Sequence, residues 1–159
     1  MNFLLEQKFK YVVLEPLKNT RDQLKSIINT PWYDIAINLS GKVSDEGNFK
    51  LCSKFSPGFK VFNVPQNIAI ITGKLVEEFP EQTIMNVVVR PNYVVLFVFY
   101  FVFIIFFFKL VTSFYSNEEH WILTGFLFLF LIFLRSLIYV SMEQLRNRFE
   151  KVMLVAPEE

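Results

Sequence analysis

From Tyr93 to Val140 the chain is almost all hydrocarbon, with one short polar break. The first run, Tyr93–Phe108, carries no charge; Lys109 and a further apolar turn extend it to Tyr115. The second, Trp121–Leu134, is also uncharged, and Arg135 precedes an apolar continuation to Val140. Only Ser116-Asn117-Glu118-Glu119-His120 separates them. A helix needs roughly 20 apolar residues to cross a hydrocarbon layer ~30 Å thick. Each run reaches that length once its one cation sits near an end and snorkels. The competing reading is a pair of soluble core helices. Helices apolar on every side would need a covering shell, and the rest of the chain has its own core to build. The sequence therefore predicts a transmembrane helical hairpin at residues 91–141, with spans near 92–115 and 120–140. Its many phenylalanines, such as Phe97, Phe101 and Phe106-Phe107-Phe108, read as lipid-facing bulk rather than a binding site.

Charge gives the hairpin an expected orientation. Arg90 precedes the first span, and Arg146, Arg148 and Lys151 follow the second, while the break holds Glu118-Glu119. Loops rich in Lys and Arg stay in the cytoplasm, so both termini are expected inside and the break outside. The Met1–Lys10 segment has no apolar core of leader length, so the first ninety residues are expected in the cytosol. Tyr93, Tyr115, Trp121 and Tyr139 fall where interfacial anchors belong, with Arg90 and Arg135 toward the inner surface and Lys109 toward the outer. Arg135 could also meet an anionic lipid headgroup or line a pore, but snorkelling is the favoured reading. Gly125 is the only glycine in either span, so no small-residue crossing motif is encoded.

The remaining sequence narrows the chemistry. Sixteen basic residues nearly balance 15 acidic ones, which gives no strong field for a nucleic acid polymer. The single cysteine, Cys52, cannot form an internal disulfide and reads as a strand residue. The only histidine, His120, is expected across the membrane from Cys52, which leaves no Cys–His pair and no His-based metal site. No phosphate loop, CxxC or HExxH occurs, and the acidic pairs Asp45-Glu46 and Glu77-Glu78 sit in turn-like stretches. No enzyme activity and no cofactor are expected.

Residues 1–90 read as a cytosolic β-rich domain with one short helix near 20–29. Phe9–Leu14, Asp34–Ser40, Phe49–Phe55, Phe59–Phe62, Asn67–Val76 and Thr83–Arg90 have strand character, divided by turn clusters such as Ser44–Asn48 and Ser56-Pro57-Gly58. Glu77–Glu81 is expected to turn the chain between the last two. Short turns between strands suggest an antiparallel meander, as an open sheet or a small β-barrel. Thr20-Arg21-Asp22-Gln23 fits a capping box, and Pro91 fits the first position of the first membrane helix. The predicted class is thus an α+β membrane protein. Residues 142–159 read as a cytosolic extension in which Met142, Leu145, Phe149 and Val152 form a seam. The seam could dock on the sheet of its own chain or on a neighbouring subunit.

Three short patterns carry a resemblance. Leu39-Ser40-Gly41 closes one strand, Asn48-Phe49-Lys50-Leu51 opens the next, and Ile70-Ile71-Thr72-Gly73 precedes the last strand and the membrane. Over roughly residues 35–110 the chain resembles small bacterial membrane proteins with a cytosolic β-domain followed by a two-helix hairpin. In architecture it is also similar to two-transmembrane β-barrel effectors of bacterial antiphage defence. The resemblance implies residence in the bacterial inner membrane, binding of a nucleotide second messenger by the β-domain, and homo-oligomeric hairpins that break the bilayer. Lys50, Lys54 and Lys60 are then candidate phosphate contacts, although alternating lysines on a strand are more often simply the solvated face. The alternative expectation is an accessory or scaffold subunit of a larger inner-membrane complex, with protein partners only.

Overall fold

In the computed structural model, residues 5–31, 38–54, 59–61, 64–115, 121–155 and 157 are described. The fold is α+β: a five-stranded antiparallel sheet with one short helix, followed by two long helices. Strand β1 (Gln7–Val13) is followed by α1 (Leu17–Asn29) and β2 (Leu39–Val43). Next come β3 (Asn48–Ser53), the hairpin of β4 (Phe59–Val61) and β5 (Val64–Gln66), β6 (Ala69–Phe79) and β7 (Gln82–Pro91). Helices α2 (Tyr93–Tyr115) and α3 (Trp121–Met153) complete the chain. The strand order β1-β7-β6-β3-β2 leaves β1 and β2 at opposite edges, so the sheet is open rather than a closed barrel. Helix α1 carries the chain from one edge to the other. The expected strand over 34–37 and the turn at Ser56-Pro57-Gly58 lie outside the described residues.

Alternation decides which face is buried. Tyr11, Val13, Leu39, Phe49, Leu51, Ile71, Leu75, Met85, Val87 and Val89 all point to one side and are buried. Leu24 and Ile27 of α1 and Ile138, Met142, Leu145, Phe149 and Met153 of α3 close over them. The seam of α3 therefore docks on the sheet of its own chain. Gly73 makes room for this layer: a Cβ there would meet the Phe49 ring and the Asn86 carbonyl.

Three local expectations are corrected. Helix α1 begins at Leu17, directly after Pro16, and has no side-chain cap. Thr20 is buried inside the helix, where its hydroxyl donates to the Pro16 carbonyl at 3.3 Å, so the capping box does not form. Proline at 16 fixes φ and starts the helix a turn earlier than Thr20 could. Pro91 is the last residue of β7, opposite Ala69, and not the first of α2. Asn92 makes the transition instead: its side-chain oxygen accepts from Val94 N–H at 3.2 Å and its carbonyl from Leu96 N–H at 3.0 Å. Finally, β6 continues through Phe79, and only Pro80 and Glu81 turn the chain, because Glu77 still pairs with Thr83.

The far end of α3 has a strained stop. Leu154 adopts φ 55°, a left-handed conformation, and Val155 N–H reaches back to the Glu150 carbonyl at 3.1 Å. This bond satisfies an otherwise open helix-end carbonyl, but a Cβ makes that conformation costly. Leu154 is 88% exposed, so its side chain returns little by packing. Leu154→Gly should raise the stability of the β-domain by ~1 kcal/mol in urea titration.

Candidate functional site: the membrane hairpin and the sheet face

Helices α2 and α3 are long and apolar enough to cross a membrane. In their most hydrophobic windows only 11% and 17% of residues are buried, whereas core helices of a soluble protein would be mostly covered. Phe97, Ile104, Phe108, Ile122, Phe126 and Leu129 are each at least 65% exposed. A surface of that kind belongs in lipid or against another apolar surface. The helices touch at Phe106 and Phe128, 5.9 Å between ring centroids. Near the turn, the buried Ser113 and Thr124 hydroxyls lie 3.2 Å apart, which satisfies polar groups inside the hairpin.

The residues expected as anchors fall toward the two ends of the helices. Tyr93 starts α2 and Arg90 stacks over its ring at 4.1 Å. Trp121 starts α3, and Tyr115 ends α2. Lys109 lies in the last two turns of α2, where its carbonyl accepts from the Ser113 hydroxyl at 2.8 Å. Arg135 and Tyr139 are exposed on α3, just before it meets the sheet.

Helix α3 does not end with its apolar part. It runs alongside β1: Ile138 and Met142 share a cavity wall with Leu5 and Gln7, Arg146 lies over Phe9 at 4.9 Å, and Glu150 reaches Tyr11. The Tyr11 hydroxyl donates to Glu150 Oε1 at 2.8 Å, and Arg146 Nε is 3.3 Å from the same oxygen. Phe149 packs edge-on to Tyr11 and stacks on Phe49 at 6.1 Å. Arg148 donates to Ser53 Oγ at 3.0 Å. Glu150, 139 residues from Tyr11, completes a contact that no local pattern could announce.

Burial, and then the acceptor Glu150, push the Tyr11 phenol above its ordinary value of 10.0. A raised folded value means the group favours folding fully below pH 10.0, and that this contribution is lost as pH rises beyond it. Tyr11→Phe should cost about 1–2 kcal/mol at neutral pH, because Glu150 loses its donor. The gap between wild type and variant should shrink above pH 10.0 in urea titrations.

The other face of the sheet is where the candidate lysine falls. Lys8, Lys10, Lys42, Lys50, Lys74 and Arg90 all lie on it, by the strand registers. Lys42 and Lys50 stand directly opposite each other, a like-charged pair that costs stability unless an anion approaches. Val88 lies beside Lys8 in one row, and Val12, Ile84 and Val76 form an apolar row beyond Lys10 and Lys74. Of the three proposed phosphate contacts, Lys50 and Lys54 have different surroundings. Lys50 is exposed on this face. Lys54 follows β3 and donates to the Thr30 carbonyl at 2.6 Å, holding the end of α1. Lys60 belongs to the separate β4–β5 hairpin, opposite Pro65, and its side chain is outside the described residues. Nothing local marks Lys8, Lys10, Lys42 and Lys74 as neighbours, because their shared face depends on strand pairing. Cys52 is a β3 residue, with Sγ 3.3 Å from Ser40 Oγ. No family model, no curated protein and no solved structure matches this chain.

Proposed function

We propose that this is a non-enzymatic membrane protein whose β-domain docks an acidic protein partner on its open sheet face. The observation that carries this reading is the spread of six cations over five strands, beside an apolar row at one end of the face. A cationic face this broad, with an apolar row along one margin, suits a protein surface better than a single nucleotide. The reading follows the scaffold alternative: a subunit of a larger inner-membrane complex, with both termini in the cytoplasm.

The continuity of α3 favours a second form. One helix passes from the lipid-facing hairpin into the domain core, so a bound partner or nucleotide could shift the hairpin and drive its assembly. A membrane-breaking antiphage effector is that form. A single hairpin has its hydroxyl pair inside and hydrocarbon outside, so an aqueous path would need several copies.

Expression of the full chain with Lys42→Glu, Lys50→Glu and Lys74→Glu together tests the reading. A stoichiometric acidic partner should co-purify with the wild type in a salt-sensitive way and be lost by ~10-fold or more in the triple variant. Equal recovery in both overturns the docking face. A purified oligomer, with collapse of membrane potential on induction, supports the effector form; a monomer with potential intact eliminates it.

A further inference from the structure

At the foot of the β-domain, a cavity of about 220 Å³ opens between the start of β1 and the lipid-facing part of α3. Glu6, Gln7, Arg135 and Tyr139 supply its polar wall, and Leu5 and Met142 part of its apolar wall. Sites for drug-sized ligands run to roughly 300–1,000 Å³, so this one suits a headgroup rather than a nucleotide. Among the described residues, the Gln7 side-chain oxygen is a buried acceptor with no hydrogen-bond partner. A carboxylate and a guanidinium flank it, and no ion pair among the described residues joins Glu6 to Arg135. Opposite charges left apart across a small cavity match a zwitterion.

The level of the cavity points to a lipid. Val95, in the first turn of α2, lines one recess with Ile138, so Arg135 sits about a turn deeper toward the spans. A guanidinium at that depth turns back toward the headgroup layer. On α3, Phe128, Ile132, Arg135 and Tyr139 follow one another at helical spacing and all are exposed. Together they form a track for an acyl chain beneath a phosphate.

We propose that this cavity binds one phospholipid whose headgroup carries a primary ammonium, the chemistry of phosphatidylethanolamine. Its phosphate sits on Arg135, and its ammonium donates to Glu6 and to the Gln7 side-chain oxygen. Its acyl chains run along Phe128 and Ile132. The proposal rests on the hairpin lying in a bilayer and is independent of the docking face.

Native mass spectrometry of the full chain, released from nanodiscs of equal phosphatidylethanolamine, phosphatidylcholine and phosphatidylglycerol, provides the test. One ethanolamine lipid should be retained per chain, preferred over the choline lipid by about tenfold, since choline has no N–H to donate. Glu6→Gln should weaken that preference severalfold, because an amide oxygen replaces the charged acceptor, and keep the lipid. Arg135→Gln should release it, and Arg135→Lys should retain it. Equal retention of the three lipids, or an undiminished preference in Glu6→Gln, overturns the proposal. If Arg135→Gln unfolds in a circular dichroism melt, Glu6→Gln alone decides. In a parallel melt, free phosphoethanolamine should shift the midpoint far less than the lipid does. An equal shift assigns the cavity to a soluble phosphate compound and overturns the lipid source. Failure of the hairpin to enter a bilayer would show separately, as water access at Phe107.

Discussion

Phe149→Ala is expected to detach α3 from the sheet. Phe149 is fully buried, wedged between Tyr11 and Phe49. Truncating a buried Phe removes its transfer free energy and leaves a cavity, together about 3–5 kcal/mol. Small domains are stable by only ~5–15 kcal/mol, so one ring carries a large share. The loss also loosens the neighbouring Tyr11–Glu150 hydrogen bond. The β-domain should melt at much lower urea, with loss of its near-ultraviolet signal. In a bilayer the two apolar helices should keep their helical signal, because their backbone bonds are internal and lipid offers no competing donor. A variant as stable as the wild type would mean that the seam is not docked.

The second large effect is geometric. Two alanines inserted between Val140 and Ser141 should rotate everything beyond them by roughly 200°, at 3.6 residues per turn. Met142, Leu145, Phe149 and Met153, all buried on the sheet, would then face away from it. Each buried side chain of this kind is worth roughly 1.5–3 kcal/mol, so their joint loss is comparable with the stability of the whole domain. A four-alanine insertion turns the seam by only about 40° further than a full turn and shifts it ~6 Å, so part of the packing should return. Limited proteolysis of the reconstituted protein reads the difference. The two-residue insertion should expose β1 and α1 to rapid cleavage, and the four-residue insertion should be cut more slowly. Equal cleavage of both variants would show that helical phase does not matter to the coupling.

Sequence patterns with a short period reported the fold well. Phe49, Leu51 and Lys50 alternate, and their burial alternates with them. The hairpin was visible because two uncharged runs of membrane length stand almost back to back. The seam of α3 was visible as spacing, but its destination was not, since periodicity marks an apolar face and not the surface that covers it. Local rules failed where a neighbour overruled them. Pro16 started α1 before Thr20 could cap it, and Asn92 took the role expected of Pro91. The lysine face was the least legible part. Lys50 was seen on its own strand, but the company of Lys8, Lys42 and Lys74 follows from registers between strands far apart in sequence. The carbonyl partner of Lys54, Thr30, is hidden from local pattern for a similar reason: it lies 24 residues away.

Helix α3 is one unbroken helix: its last part is built into the β-domain, and its first part is expected to face lipid. Spin labels placed singly from Ile122 to Val152, with Cys52 replaced by serine, test it most directly in a bilayer. Their collision rates with oxygen and with a water-soluble nickel chelate report lipid, water or protein at each position. A 3.6-residue period without a break is expected. Oxygen should dominate at Phe126, Leu129 and Phe133, and the pattern should change near Val140. Both reagents should be excluded at Met142, Leu145 and Phe149. Nickel access at Phe126 or Phe133, or a loss of period near Ser141, would contradict it.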